Sequence, residues 1–240
     1  MRHLFFIAAV IGLAAGADAA SSRHHAAGPG RHAAVTDWTR TVVSTPEGGA
    51  RMGNPKAVVK LIEYGSRTCP HCAHFAAEGV PELTRKYVAS GQVSYEFREF
   101  PIHGAIDMAA ILLGRCVGPA HFFPLLSQMM AAQPQLLTRP DIPQAEVDRV
   151  NALKPAAIIA YLADYYGYVA FVKQHGVPTA KARACLADQK AIDLVAKNTD
   201  AGAAKYQIRS TPTFIVNETV AQGAYDWATL EPVLRAAGAK

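Results

Sequence analysis

The spacing of apolar positions divides the chain into sheet-like ends and a helical middle. Val58-Val59-Lys60-Leu61-Ile62-Glu63-Tyr64 is a nearly continuous apolar run of strand length, the pattern of a buried strand. A shorter strand is predicted at Thr41-Val42-Val43, and Pro46 to Pro55, with Gly48, Gly49 and Gly53, reads as a turn-rich connection. Gly65 to Thr68 form a turn, Pro70 suits the first turn of a helix, and that helix runs from about His71 to about Ala89. Val93 to Phe100 alternates apolar and charged residues, as a strand does. Strand, helix and strand make a βαβ unit with a right-handed crossover.

From about Gly104 to about Tyr206 the period changes to that of helices. Ala109 to Leu113, Phe122 to Leu126 and Ile158 to Leu162 carry the apolar faces, punctuated by prolines. Phe122, Phe123, Met129 and Met130 are read as helix core rather than as groove lining. Sheet pattern returns at Thr213-Phe214-Ile215-Val216, with Val220 to Gly223 as its hairpin partner. A last helix opens at Asp226, a good N-cap, and ends near Ala237 before Gly238. The chain is therefore an α/β sheet domain interrupted by an all-helical insertion. The expected divisions are 38–103 for the first sheet half, 104–206 for the insertion and 207–240 for the second half.

The N-terminus reads differently. Arg2 and His3 precede an apolar run from Leu4 to Gly16, and Ala17-Asp18-Ala19 is a small-x-small cleavage pattern, so 1–19 is expected to be a signal peptide. The run is shorter than the roughly 20 residues a membrane span needs. Residues 20–37 are expected to form a flexible leader, in which His24, His25 and His32 are solvated rather than metal-bound. Export places the protein where disulfides persist, in a bacterium the periplasm. A formal charge of +5 and a pI near 9.0 permit nucleic-acid contact, but the basic residues are scattered and export removes that partner. Asn217-Glu218-Thr219 matches a glycosylation sequon and is read as chance.

The chemistry lies in Cys69-Pro70-His71-Cys72. At a strand-to-helix junction, Cys69 sits at the helix N-terminus, where free N–H groups and the macrodipole favour a thiolate. Cys72 lies one turn inward. One accessible nucleophile and one resolving thiol are what dithiol exchange requires. An imidazole at His71 is expected to donate to the Cys69 sulfur and to lower its pKa, which makes the disulfide oxidising. Two alternatives stand beside this: a metal site from Cys69, His71, Cys72 and His74, and a structural cysteine pair. The four ligands crowd too closely for one tetrahedron, and so small a loop stabilises little. Neither a metal nor a cofactor is expected.

Together, Glu63, Cys69-Pro70-His71-Cys72, the helical insertion and Thr211-Pro212-Thr213 resemble the thioredoxin-fold thiol–disulfide oxidoreductases of the DsbA type. The resemblance covers roughly Thr41 to Ala237. It implies a redox disulfide between Cys69, the nucleophile, and Cys72, the resolving thiol. It further implies that Pro212 is a cis-proline facing them, with Thr211 offering backbone to a bound peptide. A trans edge-strand proline is the alternative. Glu63 matches a buried acid that relays the Cys72 proton; a strand glutamate pointing to solvent is the other reading. Strong oxidases of this type often carry Val before the cis-proline, and Thr there also occurs in isomerases, so an isomerase or reductase ranks second, and a redox-inactive peptide-binding holdase is the remaining alternative. The implied partners are reduced or unfolded exported proteins and a quinone-linked membrane protein that reoxidises a monomeric enzyme. Cys116 and Cys185 make an even count of four cysteines, expected to add a structural disulfide, with two free buried thiols as the alternative.

Overall fold

The computed structural model describes residues 36–240. The expected signal peptide, its cleavage site and His24, His25 and His32 lie outside the described residues. Six strands form one sheet: β1 (Val42–Ser44), β2 (Ala50–Met52), β3 (Val59–Gly65), β4 (Val93–Glu99), β5 (Thr213–Val216) and β6 (Thr219–Val220). Their order is β1-β2-β4-β3-β5-β6. β3 and β4 are parallel, with Leu61 opposite Tyr95, and β5 runs antiparallel to β3, with Glu63 opposite Phe214. β2 falls inside the stretch read as a turn-rich connection. Its three residues carry too little pattern to be seen; pairing with Tyr95, Glu96 and Phe97 of β4 creates it.

β3 and β4 are central; β4 is buried along nearly its whole length, while Lys60 of β3 stays exposed and Ile62 half-buried. The alternation in β4 misleads here, because Glu96 and Glu99 are buried with their charges paired rather than solvated. At the β5–β6 hairpin, Asn217 and Glu218 both have positive φ, 45° and 69°, as a primed two-residue turn requires. The Asn217 side chain also accepts the Lys60 N–H at 2.8 Å, tying the turn to β3.

Helix α1 (Pro70–Leu83) crosses from β3 to β4 and ends in a π-helical turn, Thr84–Val88. Pro70 at its first position leaves no needed N–H unmade. Cys72, Phe75, Gly79 and Leu83 form its buried stripe, one residue per turn against the sheet. A Cβ on Gly79 would meet the Phe75 ring, and that ring packs edge-on against Phe214 of β5 with centroids 4.6 Å apart. Burying such an aromatic contributes roughly 1.5–3 kcal/mol.

Eight helices lie between β4 and β5: α2 (Ala105–Arg115), α3 (Pro119–Ala131), α4 (Gln133–Leu137), α5 (Gln144–Asn151), α6 (Pro155–Tyr165), α7 (Tyr168–Gln174), α8 (Thr179–Leu186) and α9 (Gln189–Tyr206). α2 is their hub, with Ala109 to Leu113 all buried. Leu112, Leu113, Leu125, Met129, Ile159 and Val172 belong to a second hydrophobic core, while Phe122 and Met130 join the sheet's own. Cys116, at the end of α2, is disulfide-bonded to Cys185 on α8. α10 (Trp227–Ala236) closes the chain, opened by a capping box in which Asp226 and Thr229 satisfy each other's backbone. No single helix among the described residues is long and apolar enough to cross a membrane.

Candidate active site

β3 ends at Gly65, and the chain turns through Ser66, Arg67 and Thr68 into Cys69, which is the N-cap of α1 in extended conformation. Both cysteines are free thiols. Cys69 is only 3% exposed and Cys72 not at all, so the nucleophile is less accessible than the sequence suggested. What covers it comes from far along the chain. The Thr211–Pro212 peptide bond is cis, and the Thr211 carbonyl accepts the Cys69 S–H at 3.2 Å. The same loop presents the Thr211 hydroxyl, which is buried and has no hydrogen-bond partner among the described residues.

The two thiols are pushed in opposite directions. The Cys72 S–H donates to the Cys69 sulfur and is the largest influence bringing the Cys69 thiol from its ordinary value of 9.0 to about 5. Burial opposes this, while the Thr211 hydroxyl and the backbone N–H groups of Cys72 and His71 assist. The Thr211 hydroxyl thus gains an acceptor when Cys69 ionises. Cys72 moves well up, first through burial, then because its proton is shared with Cys69 and because Glu63 is near. One sulfur is held as thiolate and its neighbour as thiol.

His71 acts otherwise than the sequence suggested. Its imidazole is exposed and makes no hydrogen bond to the sulfur; its contribution is the backbone N–H at the helix start. His74 is also exposed and pairs with Glu78 at 3.3 Å. The two rings lie outward and the two sulfurs inward, so the four candidate metal ligands do not converge. No cluster of three acidic, His or Cys side chains suited to a metal occurs among the described residues.

Glu63 points inward and is 2% exposed. Its carboxyl lies 2.6 Å from the Tyr95 hydroxyl, which donates to it. Burial lifts its pKa from 4.5 to about 8; the Tyr95 hydrogen bond pulls the other way, and the charge at Cys69 adds to the rise. At neutral pH it therefore holds a proton beside Cys72. A cavity of about 30 Å³ lined by Glu63, Tyr95, Phe123 and Ser127 lies against it.

Sequence reasoning missed how the loop is fixed. Arg67 is fully buried and ion-paired with Glu99 at 2.6 Å, with its guanidinium 5.1 Å over the Phe122 ring. Gln133 of α4 donates its amide to the carbonyls of Arg67 and Cys69, at 2.9 and 3.1 Å. A charged residue between two hydroxyl residues in an otherwise apolar surrounding was the one signal available.

A family model described as thioredoxin matches residues 45–236. The chain is a member of the thioredoxin family. Among solved structures, this thioredoxin-family chain resembles a protein-disulfide isomerase from Novosphingobium aromaticivorans. The two are 30% identical with a TM-score of 0.75, over 80% of this chain and 98% of that one. Wolbachia pipientis alpha-DsbA1, 20% identical with a TM-score of 0.63 over 81% and 92% of the two chains, shares the fold. A Rickettsia conorii protein provisionally named protein-disulfide oxidoreductase is 29% identical over 167 residues, 69% of this chain and 52% of that protein. The match thus spans about half the length of that relative.

Proposed function

We propose that the chain is a thiol–disulfide oxidoreductase that donates the Cys69–Cys72 disulfide to reduced exported proteins. The observation that carries this is the placement of two free cysteines at the start of α1, Cys69 at its N-cap against the carbonyl of the cis Thr211–Pro212 bond and Cys72 buried one turn on, which brings Cys69 to about 5 and raises Cys72. Holding Cys69 as thiolate at pH 7 favours the reduced form about 100-fold over a thiol left at 9.0, or about 60 mV for a two-electron couple. A stabilised reduced form is an oxidising disulfide.

In the forward direction a substrate thiolate attacks the Cys69 sulfur. The Cys69–Cys72 bond breaks, and its electron pair leaves with Cys72, which takes the proton held by Glu63. The substrate's second thiolate then attacks its own sulfur in the mixed disulfide and expels Cys69 as thiolate. The substrate leaves oxidised by two electrons, and the enzyme is left reduced, with Cys69 as thiolate and Cys72 as thiol. The extended backbone around Thr211 and Pro212 would hold the substrate strand by main-chain pairing. Reoxidation by a membrane redox partner, a periplasmic location and a monomeric state complete the reading.

Isomerisation is the second reading, supported by the 30% identical isomerase and by Thr211 before the cis-proline. Equilibration of the Cys69/Cys72 pair with glutathione buffers tests the first. A potential well above the glutathione poise supports a disulfide donor; one near thioredoxin's sinks it. Cys69→Ser should abolish oxidative refolding of a reduced substrate, and retained activity would refute the mechanism.

A further inference from the structure

The turn that delivers Cys69 carries polar side chains that the exchange steps above do not use. Ser66 and Thr68 are both buried. They meet Asp107 of α2, a fully buried carboxylate in the run from Ala105 to Leu113. Its Oδ1 lies 2.8 Å from the Ser66 hydroxyl and 2.9 Å from the Thr68 hydroxyl. Its Oδ2 accepts the His103 backbone N–H at 2.9 Å.

The Ser66 and Thr68 oxygens also lie 3.2 Å apart, a contact in which either could donate. A carboxylate only accepts, so both hydroxyl protons go to Asp107. The Ser66 oxygen in turn accepts the Thr68 backbone N–H at 3.1 Å. His103 Nδ1 lies 2.6 Å from the Thr68 oxygen, whose own proton is already committed, so the imidazole is the donor there. His103 is therefore the Nδ1–H tautomer, with Nε2 left to solvent on a half-exposed ring.

We infer that Asp107 is a positioning residue for the redox pair, holding the Ser66–Thr68 turn so that Cys69 is presented as the N-cap of α1. The Ser66 carbonyl accepts the Cys69 N–H at 3.3 Å, so the hydroxyl clamp and the cysteine backbone belong to one turn. The Ser66 backbone N–H, in the same turn, also acts on the Cys72 sulfur and holds its pKa down against burial. Loosening the turn withdraws the Ser66 N–H from Cys72 and lets Cys69 move off the His71 and Cys72 N–H groups at the helix start. The inference bears on the oxidoreductase reading, yet thiol titration probes it without any substrate.

The test is Asp107→Asn in the full chain, reduced, with the Cys69 thiolate titrated by its ultraviolet absorbance. Asparagine keeps the shape but turns an N–H2 donor toward groups that are themselves donors. The titration midpoint should rise. Starting from about 5, a rise of one unit lowers the thiolate fraction at pH 5 about fivefold. Thr68→Val removes one hydroxyl at nearly constant volume and should shift the midpoint the same way by less; it carries the test if Asp107→Asn does not fold. Nitrogen NMR should find the His103 proton on Nδ1. An unchanged midpoint in the variants, even with a lowered melting temperature, overturns the inference by leaving Asp107 a purely structural residue; so does a wild-type His103 protonated on Nε2. A shifted midpoint in a chain whose wild type exchanges no disulfides would refute the proposed function and leave the positioning role standing.

Discussion

Glu63→Gln should stabilise the folded protein, and by an amount that depends on pH in a calculable way. The carboxyl has an ordinary pKa of 4.5 when the chain is unfolded and about 8 when folded. Below pH 4.5 it is protonated in both states and contributes nothing to the pH dependence. Between the two values the unfolded chain releases the proton and the folded chain keeps it. The unfolded state then binds fewer protons, so stability falls as pH rises, by about 1.4 kcal/mol per pH unit. At pH 7 the accumulated cost is about 3 kcal/mol, and above pH 8 it levels off near 5 kcal/mol. Glutamine removes the titration while its carbonyl still accepts the Tyr95 hydroxyl, now 2.6 Å from the carboxyl. Urea unfolding of the reduced wild type and variant from pH 4 to pH 9 is the assay. The stability difference should be smallest at the acid end and widen to its plateau above pH 8. A difference that stays flat across that range would mean that Glu63 ionises at an ordinary pKa, and the proton-holding role beside Cys72 would fall with it.

Alkylation of reduced protein should proceed at Cys69 with a midpoint near pH 5, while Cys72 stays protected well into the alkaline range; two equal midpoints would contradict the split. Replacing both Cys116 and Cys185 by Ser releases a loop of sequence separation 69 and should cost about 4 kcal/mol in denaturant unfolding, with no loss of disulfide exchange at Cys69. Glu99→Gln leaves the Arg67 guanidinium buried without its counter-charge and should lower stability by about 3–5 kcal/mol; a loss under 1 kcal/mol would mean that water reaches the pair.

The parts of the fold that showed in the sequence are those whose cause is local. The apolar run of β3 marks a largely buried strand in its own residues, although Lys60 stays exposed and Val58 falls outside it. Pro70 and Asp226 mark helix starts because their backbone chemistry acts within one turn. β2 did not show, since a three-residue strand exists only by pairing with β4. The partners of Glu96 and Glu99 did not show, because alternation reports polarity and not pairing; Arg98 and Arg67 pair with them. At the site, the two cysteines were legible from spacing alone. The burial of Cys69 was not, because its cover is Thr211, 142 residues away. Nor was the way His71 acts, since sequence shows an imidazole and hides the backbone N–H beneath it.

Stability and redox function are two sides of one cycle in this protein. The burial that raises Glu63 opposes folding at neutral pH, and the depressed Cys69 offsets it only when the pair is reduced. That offset is present above the unfolded thiol pKa of 9.0 and is lost as pH falls through about 5. At pH 7 it amounts to about 2.7 kcal/mol, the free-energy form of the 100-fold preference for the reduced state. Oxidation to the Cys69–Cys72 disulfide removes the thiolate and with it that contribution. On the proposed donor function, the folded protein gains stability by giving its disulfide away, and the gain is the driving force for donation. The reduced chain should accordingly outlast the oxidised one in urea at pH 7, with the gap closing as pH falls toward 5. An oxidised form as stable as the reduced one at pH 7 would break the cycle, because no free energy would then remain in the fold to push the disulfide onto a substrate.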